Sequence, residues 1–135
     1  MSDSALVAAA TRVRVHAWAP YSDVQVGAAV LADDGRIFAG VNVENASFSH
    51  VCCAERVAVF KAVSEGARRL VACAVVTDHD QPVSPCGACR QVLHEFGPDM
   101  RLILATTDGV RRETTLRALL PEPFEARHVL DHRRA

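Results

Sequence analysis

The residues that can do chemistry in this chain are Cys53, Glu55, Cys86 and Cys89. Pro85-Cys86-Gly87-Ala88-Cys89 holds a C-x-x-C pair, a spacing that lets two thiolates grip one metal ion from one side. Cys53, in Cys53-Ala54-Glu55-Arg56, offers a third sulfur from a separate helix. Zinc held by three protein ligands keeps one open position, which is the arrangement of a catalytic site. Helix N-termini favour negative charge, so sulfurs placed at helix starts are easier to deprotonate. Three thiolates still leave such a centre at about −1 and poorly electrophilic. Arg56 and Arg90 stand close enough in sequence to donate hydrogen bonds to the sulfurs and recover Lewis acidity. Glu55 is not needed as a ligand and is free to move protons.

The competing reading of the same cysteines is a structural zinc knuckle, which needs a fourth ligand from Cys52 or a histidine. Cys52 adjoins Cys53 and reads as a packing residue, and Cys73 falls in an apolar strand and reads as core. The six histidines are scattered without metal spacing, and only His50 lies near the cluster in sequence. Five cysteines, an odd number, without an export signal fit a reducing, cytoplasmic setting, where clustered thiols bind metal more often than they pair.

These groups must be positioned by helices and strands that the pattern marks out. Leu6, Ala9, Ala10, Val13 and Ala17 recur at helical spacing after Ser4, and Pro20 ends that helix. Val24–Leu31 reads as a buried strand, Asp33-Asp34-Gly35 as a turn and Arg36–Val41 as the returning arm of a hairpin. Asn42–Ser47 is a polar loop. Cys53–Glu65 reads as a helix apolar around much of its circumference, hence central, with Gly66 capping its end. Leu70–Val76 is a valine-rich run covered on both faces. Gly87–Phe96 is a helix stopped by Gly97-Pro98, and Leu102–Ala105 is another buried strand. After the Asp108-Gly109 turn come a short strand near Val110–Glu113, a helix at Leu116–Leu120 and a proline-broken tail. This order predicts α/β layering with helices over a mostly parallel sheet plus one antiparallel hairpin. Both metal half-sites then sit at one edge of the sheet, so their separation in sequence does not prevent convergence.

At 135 residues the chain fits a single domain over 1–135 with a real core. A net charge of −1 and no basic run argue against a protein that grips a nucleic-acid backbone, and favour a small, near-neutral substrate. Apolar stretches such as 71–76 are too short to span a bilayer. The N-terminal segment lacks the layout of a signal peptide.

Taken together, C-A-E followed by P-C-G-A-C matches the signature of zinc-dependent deaminases, with cysteine as the first ligand. The chain resembles the small, homotetrameric cytidine deaminases over nearly its whole length. The stretches that carry the likeness are Pro20-Tyr21-Ser22, Val26–Ala29, Asn42–Ser47, Cys53–Arg56, Ser84–Leu93 and Leu119-Leu120-Pro121 with Phe124. The resemblance implies a three-layer α/β/α fold with a mixed sheet of about five strands. It implies hydrolytic deamination of cytidine and 2′-deoxycytidine in pyrimidine salvage, with one zinc ion per subunit on Cys53, Cys86 and Cys89. Glu55 would be the proton shuttle, Arg56 the partner of a ligand sulfur, Asn42 and Glu44 the ribose contacts, and Ala54 with Glu55 the contacts to the amide edge of the base. Phe124 would enter a neighbouring subunit's site, which places the active sites at the interfaces of a homotetramer without membrane or nucleic-acid partners.

The chain departs from the family at Val24, where a phenylalanine usually stacks on the base. Valine keeps an apolar wall and loses the stacking face. Phe48 and Ser49-His50 also depart, on the loop leading to Cys53. Val24 keeps open a second substrate reading, a modified cytosine nucleoside or a cytosine-nucleoside antibiotic such as blasticidin S. For Asn42 and Glu44 the alternative is that they only satisfy backbone groups of their own surroundings.

Overall fold

The structure, a computed structural model, describes the backbone of residues 3–134 and side chains through residue 130. In chain order the elements are α1 (Asp3–Val13), β1 (Gly27–Ala32), β2 (Ile37–Val41), α2 (Ala54–Ser64), β3 (Leu70–Thr77), α3 (Gly87–Phe96), β4 (Arg101–Thr106), β5 (Arg111–Thr115), α4 (Leu116–Leu119) and α5 (Ala126–Arg134). Short 3-10 turns occupy Arg14–His16 and Phe48–His50.

The five strands form one sheet in the order β2-β1-β3-β4-β5. Only β3 and β4 pair in parallel; β1 is antiparallel to both β2 and β3, and β5 is antiparallel to β4. The mostly parallel sheet expected from the order of elements is therefore corrected, and the mixed sheet of about five strands that the resemblance implied is what forms. The reason is the place of β1, which inserts between β2 and β3, so the crossover through α2 spans one intervening antiparallel strand. By these pairings β2, β3 and β4 still run the same way. Helices α2 and α3 consequently both begin at the C-terminal edge of the sheet, which brings the two cysteine half-sites together.

Period-two alternation gives the sheet two buried faces. Ala29, Leu31, Ala72, Ala74, Val76 and Ile103 pack with Leu6 and Ala10 of α1 on one face. Val30, Phe38, Cys73, Val75, Leu102 and Leu104 pack with Ala58, Val59 and Ala62 of α2 and Leu93 of α3 on the other. The result is three layers, helix, sheet and helices. Gly40 controls how closely α2 approaches. A Cβ there would sit 2.5 Å from Ala58 N and 2.8 Å from Ala54 O, so only glycine lets the first turns of α2 lie on the strand.

Two boundaries differ from the sequence expectation for one local reason. The first helix stops at Val13 and its 3-10 extension, well before Pro20. Beyond it Trp18 is held extended, donating to Asn42 O at 3.0 Å and accepting from Glu44 N at 2.8 Å. β1 begins at Gly27 and not Val24, because the Asn42 side chain takes over the backbone groups before it. The turn at Gly35, with φ +94°, and the cap at Gly66, with φ +97°, need the left-handed region that glycine supplies. α2 is less enclosed than its composition predicts: Phe60 is 51% exposed on its outer side. The proline-broken tail goes on to form α5, which sequence patterning did not mark.

Candidate active site

Cys53 is the N-cap of α2 and Cys86 the N-cap of α3, and neither side chain caps its own helix. Both sulfurs are thus left at helix N-termini, where the aligned peptide dipoles stabilise thiolate charge. Cys89, in the first turn of α3, is fully buried beneath them. Zinc–sulfur bonds of about 2.3 Å at tetrahedral angles place sulfurs about 3.8 Å apart. Cys53 Sγ and Cys86 Sγ lie 3.8 Å apart, and all three sulfurs fall within 4.8 Å of one another. An all-sulfur donor set is soft and suits zinc, not a hard cation. The residues present fit one zinc ion.

Arg56 Nη2 donates to Cys53 Sγ at 3.4 Å. The hydrogen bond from Cys89, followed by that from Arg56, holds the Cys53 thiol well below its ordinary value, while Cys89 as the buried donor is pushed up. The Arg56 guanidinium thus faces a sulfur whose charged form is favoured. Arg90 does something else. It donates to Pro85 O at 2.8 Å and Leu119 O at 2.9 Å, so it braces the loop before Cys86 and makes no sulfur contact. That corrects the expectation for Arg90.

Glu55 is 5% exposed although charged groups are seldom buried. Burial pushes its carboxyl up to about 7, with the Cys53 charge adding to the push and Arg56 opposing it. The carboxyl lines a cavity of about 260 Å³ together with Cys53, Cys86, Val24, Asn42 and Ala54. Six residues singled out from the sequence thus meet in one space. Ser22, Val26, Val51, Val75, Thr77, Val83 and Ser84 complete its walls; Ser22, Val26 and Ser84 lie in stretches that carry the family likeness, but none of the seven was singled out as a site residue. Most belong to strand ends or irregular loops, where no periodicity points inward.

Asn42 and Glu44 are already engaged. Asn42 Oδ1 accepts from Val26 N at 2.8 Å and its Nδ2 donates to Val24 O at 2.7 Å. Glu44 Oε1 accepts from Tyr21 N at 2.9 Å and Ser22 N at 3.2 Å, and Oε2 accepts from the Ser22 hydroxyl. The Ser22 hydroxyl is the main reason the Glu44 carboxyl sits below its ordinary value. Each side chain retains capacity: Asn42 one N–H and one lone pair, Glu44 a free lone pair on Oε2. Phe124 lies elsewhere. It is 60% exposed, its backbone is clamped by Gln91, and its ring rests 5.3 Å from His128. Cys52, expected as a packing residue, is half-buried, and its backbone bridges Val43. His50 hydrogen-bonds Ser47 Oγ at 2.9 Å and stands outside the cavity lining.

Residues 1–106 match the family described as the cytidine and deoxycytidylate deaminase zinc-binding region. The chain belongs to this family. A cytidine deaminase of Sporosarcina psychrophila is 51% identical over 88% of this chain and 88% of its own. One from Halalkalibacterium halodurans is 48% identical over 97% of this chain and 100% of its own. Among solved structures, cytidine deaminase from Burkholderia pseudomallei superposes with a TM-score of 0.88 at 46% identity, covering 92% of this chain and 100% of that one. The cysteine geometry above is thus that of a zinc-binding deaminase family member, with the α/β fold of these relatives. Among the described residues no helix is long and apolar enough to cross a membrane.

Proposed function

We propose that this protein is a zinc-dependent hydrolase that converts cytidine and 2′-deoxycytidine to uridine and 2′-deoxyuridine with release of ammonia. The observation that carries the reading is a buried carboxyl, Glu55, in the same cavity as the Cys53 and Cys86 sulfurs. When bound, zinc supplies the Lewis acidity that makes water a nucleophile near neutral pH. Cys53, Cys86 and Cys89 would hold it, and Arg56 would draw charge off Cys53. Glu55 takes a proton from the attacking water and delivers it to the ring nitrogen N3. It then passes the proton left on the newly added hydroxyl to the amino group as the C4–N bond breaks, so cytidine and water become uridine and ammonia. Ala54, at the start of α2, orients the amide edge of the base. Asn42 and Glu44 use their remaining capacity for the ribose hydroxyls, and Val24 forms an apolar wall beside the ring.

Turnover of cytidine and deoxycytidine, set beside cytosine, adenosine and blasticidin S in an ammonia-release assay, tests this. Activity on the two nucleosides alone supports it. Activity only on another amine would keep the metal chemistry and overturn the substrate.

We further infer a homotetramer with shared active sites, working in the cytoplasm where free thiols stay reduced. In the single chain Cys86 is exposed, and so are Phe124 at 60%, Phe60 at 51%, Phe48 at 73% and Trp18 at 60%. A subunit interface would cover such aromatic surface. Sedimentation equilibrium should give the tetramer mass. Truncation before Phe124 should lower turnover with zinc retained; unchanged kinetics would remove Phe124 from the site.

A further inference from the structure

Thr77 is the last residue of β3 and is 1% exposed. Strand alternation puts it on the face of Cys73 and Val75, which is the face covered by α2 and α3. Its backbone is fixed by parallel register with Thr106 and by the bond from Thr107 N to its carbonyl at 2.9 Å. Its hydroxyl is different. Among the described residues Thr77 Oγ1 is buried with no hydrogen-bond partner. The comparison with Thr106, its buried neighbour on β4, is informative, because that hydroxyl accepts from Val110 N at 3.1 Å. Buried hydroxyls are almost always satisfied, and one left alone costs stability that a valine of the same shape would not. Thr77 lines the cavity that contains Glu55, Val24, Cys53 and Cys86. Five valines, Val24, Val26, Val51, Val75 and Val83, share these walls, and none of the polar walls bonds the hydroxyl.

We propose that Thr77 is a specificity-determining residue whose hydroxyl hydrogen-bonds the bound pyrimidine, directly or through one water held between them. The proposal rests on the reading of a cytosine nucleoside as substrate. Glu55, Ala54 and the sulfurs account for the amine-bearing and amide edges of the base. Thr77 adds one hydroxyl with no partner in the protein to a pocket whose walls include five valines. With Val24 providing no stacking surface, that contact takes a larger share in holding the ring. A hydroxyl serves this better than a charge, since it donates or accepts as the ligand requires.

The test compares Thr77→Val and Thr77→Ser with the wild-type, zinc-loaded enzyme in cytidine kinetics and thermal unfolding. Losing one neutral hydrogen bond should lower kcat/KM roughly 3- to 10-fold. The loss should fall mainly on KM, with Tm equal to or above that of wild type. Thr77→Ser should recover most of the lost affinity. Thr77→Val with unchanged kcat/KM overturns the proposal. So does a fall in Tm with KM intact, which would mean that the hydroxyl has a structural partner. A wild-type enzyme silent on cytidine would overturn the substrate reading and this assignment with it. An active wild type with an indifferent Thr77→Val overturns this assignment alone.

Discussion

Arg56 Nη2 faces Cys53 Sγ at 3.4 Å across the first turn of α2. The N-cap and the third helical residue share one face, so the helix itself aims the guanidinium at the ligand sulfur. Arg56 Nε is buried without a partner among the described residues, so little besides the sulfurs offsets its burial. Replacing Arg56 with Gln should lower zinc affinity or turnover roughly 10- to 100-fold, the usual effect of losing a partner of a metal ligand. Metal titration followed by steady-state kinetics checks it.

The close approach at Gly40 makes a second prediction. A methyl group there meets Ala58 N and Ala54 O, so α2 must lift from β2 and carry Cys53 and Glu55 with it. Gly40→Ala should cost roughly 1–3 kcal/mol of stability, as overpacking does, and lower zinc content as well. Denaturant unfolding and metal analysis read the two effects separately.

Three sulfurs, and no fourth, should hold the metal. Cys89→Ser should abolish zinc binding, whereas Cys52→Ser should leave one zinc per subunit. Cys52 is half-buried with its backbone bridging Val43, and it lies outside the sulfur cluster. Loss of zinc from Cys52→Ser, by atomic absorption, would revive the four-ligand structural site.

Glu44 sets a pH limit. Its carboxyl lies below the ordinary value of 4.5, chiefly because the Ser22 hydroxyl bonds the charged form. A folded value below the unfolded one adds stability that is complete above pH 4.5 and is lost as pH falls through the folded value. Ordering of residues 20–22 should therefore persist from pH 7 to pH 5 and fail only as pH falls below the usual carboxylate range. Amide exchange at Tyr21 and Ser22 follows it directly. Glu44→Ala should remove this pH dependence.

The sequence was most legible where local chemistry punctuates the chain. Gly97-Pro98 ends α3 where expected, Gly66 closes α2, and the valine-rich run at Leu70–Val76 is the buried central strand. Cys53, Glu55, Cys86 and Cys89 could be placed together because two successive helix starts fall at one sheet edge, and with only β1 between β2 and β3 they meet. Strand direction was not legible in the hydrophobic pattern, and the mixed sheet was expected from the resemblance alone. An apolar run reports burial, and burial is the same whether β1 lies beside β2 alone or between β2 and β3. Arg90 misled for a similar reason. Adjacency to Cys89 in sequence is about 100° of rotation on a helix, and that turns its guanidinium to Pro85 and Leu119. Thr77 left no trace, since a threonine ending an apolar strand looks the same whether its hydroxyl is bonded or not.

The central claim is that a buried carboxyl beside three zinc-binding sulfurs moves the protons of cytidine hydrolysis. Glu55→Gln keeps the shape and removes the proton carrier, so cytidine turnover and zinc per subunit should be measured together on wild type and variant. The predicted result is one zinc per subunit in both and cytidine turnover at least about 10²-fold lower in the variant. Zinc-loaded Glu55→Gln that deaminates cytidine at the wild-type rate would contradict it.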